Sequence, residues 1–277
     1  MALGVAPQKL SNSLTSGNRR NVVQGHPRET GEIMIVSTEY VTIASGESAM
    51  RTFIAAPSGD GKFPGVLLYS DIFQLTGPTL RSAVRLAGYG FVVAAPEIYH
   101  RIEVPGTVIP FDDAGRDRGL ADAARTSVAE FDVDCRAVLD YLNRHGKVEP
   151  GNLVATGFCI GGHLAFRAAL QPDVRATACL YGTGIHNGRL GRDEDAGSLE
   201  RALEIRGELL MVFGTLDPHV PAEGREKINS ALEKAGTEFK MSLYEAAHAF
   251  MRDEGPRYDP EATDKAWSEM IRFFRQQ

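Results

Sequence analysis

A chain of 277 residues with 43% apolar and 24% charged side chains can bury a full core, and one domain accounts for that length. Its formal net charge of −6, with no Lys/Arg run longer than two, leaves no electrostatic footprint for nucleic acid. The longest apolar stretches, 64–69 and 91–96, fall far short of the ~20 residues of a membrane helix, so a soluble protein is expected.

Residues 1–30 read as a disordered tail ahead of a single domain over 31–277. Residues 1–28 hold no Asp or Glu but contain Lys9, Arg19, Arg20 and Arg28 among Ser and Asn, a composition that organelle targeting also fits. They lack the apolar core of a secretory signal. Three cysteines, Cys135, Cys159 and Cys179, match neither a disulfide framework nor a metal knuckle, which makes a reducing, cytoplasmic compartment the expectation. A monomer or small homo-oligomer is expected.

Strand-like alternation begins near Ile33 and continues through 40–43 and 50–56, on either side of the turn-prone Ala44-Ser45-Gly46-Glu47. Apolar runs at 65–69, 90–95, 152–156, 176–181, 209–213 and 239–244 then alternate with longer segments. Helical periodicity marks 78–87, 121–145, 162–170, 225–235 and 259–275. This rhythm predicts an α/β fold with a mostly parallel central sheet and helices on both faces. The clearest helix is 121–145, whose Val128, Phe131, Val133, Cys135, Val138, Leu139 and Leu142 mostly keep a helical spacing and which Gly146 is placed to stop. The Gly- and Asp-rich stretches 105–119 and 182–197 are expected to be loops over one edge of the sheet.

The sharpest local signal is Gly157-Phe158-Cys159-Ile160-Gly161-Gly162, directly after the apolar run Leu153-Val154-Ala155 and directly before a helical segment. It is a nucleophile elbow with Cys in place of Ser. Such a turn is tight enough to strain the nucleophile's backbone, and glycines two residues to either side give it room. A thiol there lies at a helix N-terminus, which favours thiolate. Alone, the motif fits equally well a small buried Cys in a Gly-rich turn.

Order and spacing downstream favour catalysis. Asp217 follows the strand 209–213, and His248 follows the strand 239–244. Nucleophile, acid, histidine is the chain order of α/β-hydrolases, and all three fall just past strand C-termini, where open α/β sheets place their sites. Separately, Asp217 before Pro218 is an ordinary turn residue and His248 an ordinary loop residue. The conjunction points to a Cys159, His248, Asp217 triad.

These segments, with Tyr69-Ser70-Asp71-Ile72-Phe73, residues 90–99 and Ala247-His248-Ala249-Phe250, resemble the dienelactone hydrolase (carboxymethylenebutenolidase) family over about residues 52–274. The resemblance implies an α/β-hydrolase fold, a Cys-Asp-His triad, an oxyanion hole from the N–H groups of Ile160 and Ile72, and hydrolysis of small cyclic enol esters. It also implies that the carboxylate of Asp71 helps activate the thiol. The family usually has Glu there, and Asp retracts the carboxylate by one methylene, roughly 1.5 Å. Arg101 and Arg252 match the arginines that recognise the substrate carboxylate, a task suited to a planar guanidinium. Solvated loop arginines are the alternative. Tyr181 is a candidate pocket residue, with packing as the other reading.

Cys135 and Cys179 lie in apolar runs and read as core thiols. His163 is expected to face a helix or the surface, and His100 and His219 to sit in loops near the site. No metal spacing and no complete dinucleotide fingerprint appears, so no metal or cofactor is implied. The expected function is hydrolysis of a small, anionic lactone or ester through a cysteine acyl-enzyme. The alternatives are a general thiol esterase or thioesterase, and an inactive small-molecule binding member of the fold.

Overall fold

Strand registers determine where this chain can place a reactive side chain. The computed structural model describes Met1 and residues 35–277; the expected tail and its targeting reading, and the strand start at Ile33, lie outside the described residues. Eight strands form one sheet in the order β1-β2-β4-β3-β5-β6-β7-β8. β1 (Val36–Ser45) and β2 (Ser48–Pro57) form an antiparallel hairpin, and β2 pairs antiparallel with β4 (Val92–Pro96). β3 (Phe63–Tyr69), β4, β5 (Val148–Phe158), β6 (Val174–Leu180), β7 (Glu208–Gly214) and β8 (Phe239–Tyr244) run parallel.

The apolar runs of the central strands are continuous because both faces of the sheet are covered. Leu67, Ala155 and Met211 pack on one side with Val138, Leu142, Leu164 and Ile228 from α3 (Val128–Arg144), α4 (Ile160–Ala168) and α5 (Ala222–Ala235). Their neighbours in sequence, Val66, Val154 and Leu210, pack on the other with Leu86, Trp267 and Met270 from α1 (Gly77–Gly88) and α6 (Pro260–Phe274). This is the mostly parallel α/β arrangement read from the sequence.

One helix differs from that reading. The expected 121–145 helix is two: α2 (Asp113–Ala123) and α3, interrupted at 124–127. Ser127 starts α3 with a capping box. Its Oγ accepts the Glu130 N–H at 3.2 Å, while the Glu130 carboxylate accepts the Ser127 N–H at 2.7 Å. Asp112 caps α2 with a single bond, its Oδ1 accepting the Gly115 N–H at 2.7 Å, so the stretch expected as loop over 105–119 contains the first turns of a helix. Apolar periodicity runs through 121–145 and hides the break; the cap residues carry it.

Replacing Ser127 with Ala is expected to lower unfolding free energy by about 1 kcal/mol in urea titrations. An unchanged midpoint would show that the cap does not hold the start of α3.

Candidate active site

β5 ends at Phe158, α4 begins at Ile160, and Cys159 alone makes the turn, with φ 58° and ψ −119°. For a residue with a Cβ this backbone costs about 1–3 kcal/mol and persists only where its surroundings enforce it. The surroundings do. A Cβ on Gly157 would strike the Gly161 carbonyl, and one on Gly161 would strike the Ser70 carbonyl, so β3, β5 and α4 approach this closely only through glycine. The Cys159 N–H donates to the Leu180 carbonyl at 3.1 Å, and the Cys159 carbonyl accepts the N–H groups of Gly162 and Thr183 at 3.0 and 3.1 Å. The half-buried thiol lies 3.9 Å from the Thr183 hydroxyl.

The loops after β7 and β8 bring Asp217 and His248 together. The His248 Nδ1–H donates to Asp217 Oδ2 at 2.7 Å, which leaves Nε2 as the nitrogen that gains and loses the second proton. Asp217 Oδ1 accepts the His219 N–H at 2.8 Å. Burial works against the Asp217 carboxylate, yet its bonds to His248 and to the His219 backbone hold its pKa below the usual value. Burial would likewise depress His248, but the neighbouring Cys159 sulfur and the Asp217 carboxylate outweigh it and raise the imidazole to about 9.

Tyr181 is buried, and its ring packs edge-on against His248 at 5.3 Å between centroids. The His219 ring also packs edge-on against His248, at 4.6 Å between centroids. His219 thus lies in a loop beside the site, in the turn Asp217-Pro218-His219, where the Asp side chain accepts the N–H two residues on. Nothing in the local sequence of Thr183 signals its place beside the thiol.

Asp71 lies just past β3. Its Oδ1 accepts the Phe73 N–H at 3.0 Å and its Oδ2 accepts from Arg252 Nη1 at 3.1 Å. Burial raises the Asp71 pKa, and the Arg252 charge offsets part of that rise. Arg252 in turn lies over the Phe111 and Phe73 rings, 4.4 and 5.2 Å from their centroids. Among the described residues, no acceptor is bonded to the N–H of Ile72 or of Ile160. Both amides belong to segments flanking Cys159, and Gly119 of α2 packs directly on the Ile72 carbonyl.

The structure does not bring Arg101 to this cluster. Its guanidinium pairs with Asp134 through Nη1 and Nη2 at 2.6 and 2.7 Å, and His100 bonds the same carboxylate at 3.1 Å. His163 is wholly buried, which corrects the surface alternative: it bonds the Thr183 carbonyl and the Ser198 hydroxyl. Burial, reinforced by the Arg167 charge, depresses it to about 3, so it is neutral. Cys135 and Cys179 are buried, with the Cys135 thiol pushed up to about 12 and Cys179 also raised. Among the described residues, no three His, Cys, Asp or Glu side chains are grouped to hold a metal, and no helix is long and apolar enough to cross a membrane.

A profile of the Dienelactone hydrolase family matches residues 50–277. A Saccharomyces cerevisiae protein provisionally named a carboxymethylenebutenolidase is 36% identical over 230 residues, spanning 80% of this chain and 84% of its own. A carboxymethylenebutenolidase from a Pseudomonas species is 30% identical over 207 residues, spanning 74% and 82%. The crystal structure of a Klebsiella pneumoniae protein provisionally named a dienelactone hydrolase superposes with a TM-score of 0.79 at 26% identity, covering 88% of this chain and all of that one.

The raised His248 pKa has a defined sign in stability. Its contribution is complete below the unfolded value of 6.5 and is lost as pH rises through about 9. Between pH 6 and 9.5 the wild type should therefore lose more stability than His248→Gln, as read from urea midpoints. Parallel losses would contradict the ion-paired imidazole.

Proposed function

This chain belongs to the dienelactone hydrolase family, and from that premise we propose that it opens small lactones or esters through an acyl-enzyme on Cys159, with His248 and Asp217 completing the triad. The observation that carries the proposal is the 2.7 Å bond from His248 to Asp217 beside a cysteine held at φ 58° at the start of a helix. Ordinary packing does not require that conjunction.

In the proposed mechanism, His248 Nε2 takes the thiol proton and the Cys159 thiolate attacks the carbonyl carbon. The N–H groups of Ile72 and Ile160 donate to the oxyanion. Collapse breaks the C–O bond and forms the thioester. The leaving oxygen takes the proton from imidazolium; in an enol lactone it stays tethered to the acyl group and tautomerises to the ketone. His248 then deprotonates water for attack on the thioester, and collapse releases the carboxylate and returns the proton to sulfur. Thiolate is a better leaving group than amide nitrogen or alkoxide, so good leaving groups suit this nucleophile and amides do not.

Arg252 and Asp71 form an ion pair just past β3, the strand that pairs with β5. Arg252 supports the reading of an anionic, dienelactone-like acyl part, since a substrate carboxylate can exchange with Asp71 on its guanidinium. Three cysteines without a disulfide among them fit a reducing, cytoplasmic setting.

Progress curves with cis- and trans-dienelactone and with a neutral phenyl ester should show turnover that falls by roughly 10⁴-fold in Cys159→Ala and by a similar factor in Asp217→Asn. Ester turnover without dienelactone turnover would assign a general thiol esterase. Equal inertness of folded wild type and Cys159→Ala toward all three would assign a binding protein.

A further inference from the structure

Arg101 and Arg252 are the two arginines that the resemblance pairs on a substrate carboxylate, and the chain holds them on different internal acids. Asp134, on α3, is 4% exposed and accepts from Ser45 Oγ and Arg101 Nη2 on one oxygen and from Arg101 Nη1 on the other, with His100 Nε2 3.1 Å from that second oxygen and 2.8 Å from Arg101 Nη1. Ser48 Oγ lies 2.9 Å from the remaining nitrogen of His100. The pair is bidentate and its carboxylate is almost sealed from water. Withdrawing Arg101 would strand a buried charge, a far costlier event than breaking a surface ion pair.

Topology shows which way Arg101 leans. Cys159 follows β5. Ser45 ends β1, four strands away in the sheet order, or roughly 19 Å at the spacing between neighbouring strands. Arg101 follows β4, two strands from β5, and its guanidinium is held by Asp134 alongside Ser45, on the outer side. Asp71 behaves oppositely. Tyr69 of β3 is in register with Gly157 of β5, so Asp71 and Cys159, each two residues further on, leave neighbouring strands at the same level. Arg252 is bonded to that Asp71, and its Nε is buried without a partner.

Building on the hydrolase reading above, we infer that Asp134 withholds Arg101 from the substrate, so that of these two arginines Arg252 alone meets it. The site then takes small esters and lactones carrying one carboxylate or none, and any preference for the acid comes from Arg252 alone. Asp134 is thereby a specificity-determining residue that never touches the substrate, and Arg101 is part of the staple between the β1–β2 hairpin and α3.

The test compares para-nitrophenyl acetate with mono-para-nitrophenyl succinate, which carries the same leaving group and adds one carboxylate. The ratio of their kcat/KM values is measured for the wild type, Arg252→Leu and the double variant Arg101→Leu with Asp134→Leu, which removes both members of the buried pair. If the leucine pair does not fold, Arg101→Gln with Asp134→Asn replaces it. The double variant should keep the ratio within about twofold, while Arg252→Leu lowers it about tenfold or more. A tenfold fall in the double variant would place Arg101 on the substrate and overturn the inference. Furoate, a ring carboxylate with no ester to cleave, supplies a second readout by calorimetry. Its Kd should rise about tenfold in Arg252→Leu and stay within about twofold in the double variant. Should the wild type cleave neither ester, the hydrolase reading fails, and the furoate constants still decide this inference by the same criterion.

Discussion

The backbone of Cys159 sits at φ 58°, and the packing that tolerates this strained turn is the close meeting of β3, β5 and α4. The turn places Cys159 past the end of β5 and starts α4 at the next residue, so the sulfur lies at a helix N-terminus. The strain is tolerated because Gly157 and Gly161 let β3, β5 and α4 approach within a distance that any Cβ would block. Asp71 and Ile72, just past β3, leave that strand at the level where Cys159 leaves β5. The proposed oxyanion donors, the acidic partner of Arg252 and the proposed nucleophile all lie on the segments that this packing joins.

A chain of buried polar groups behind the turn keeps Thr183 beside the sulfur. Arg167 is held by Asp132 and donates to Ser198 Oγ at 3.0 Å. The His163 Nδ1 faces the Thr183 carbonyl at 3.1 Å; because a carbonyl can only accept, Nδ1 carries the proton and Nε2 accepts from Ser198 at 2.8 Å. The Thr183 N–H then donates to the Cys159 carbonyl. A charged imidazole could not make the Ser198 acceptor bond, and burial next to Arg167 keeps His163 neutral. The loop that begins at Gly182 is thus anchored from below at Thr183 and at Ala196, whose carbonyl also accepts from Arg167.

Much of this was legible in the sequence because the relevant signals are local. Continuous apolar runs separated by helical periods give a mostly parallel sheet, and Gly157-Phe158-Cys159-Ile160-Gly161 after an apolar run gives the turn. What escaped depends on partners distant in sequence. Arg101 aligns with a substrate-binding position, but its direction is set by Asp134, 33 residues on, and by Ser45, 56 residues back. His163 looks like a surface residue of a short helix until Ser198 and Thr183 are folded over it. The division of residues 121–145 into two helices was visible only as Ser127 and Glu130, a capping pair that a periodicity reading passes over.

The claim on which the account rests is that Cys159 carries the acyl group during turnover. Quenching a reaction with excess para-nitrophenyl ester at low pH in the steady state, and analysing the digested protein by mass spectrometry, tests it directly. The account predicts an increment equal to the acyl group on the peptide containing Cys159, and none on those containing Cys135 or Cys179. Continued ester turnover with no acyl adduct on Cys159, or with the adduct on another residue, would contradict it.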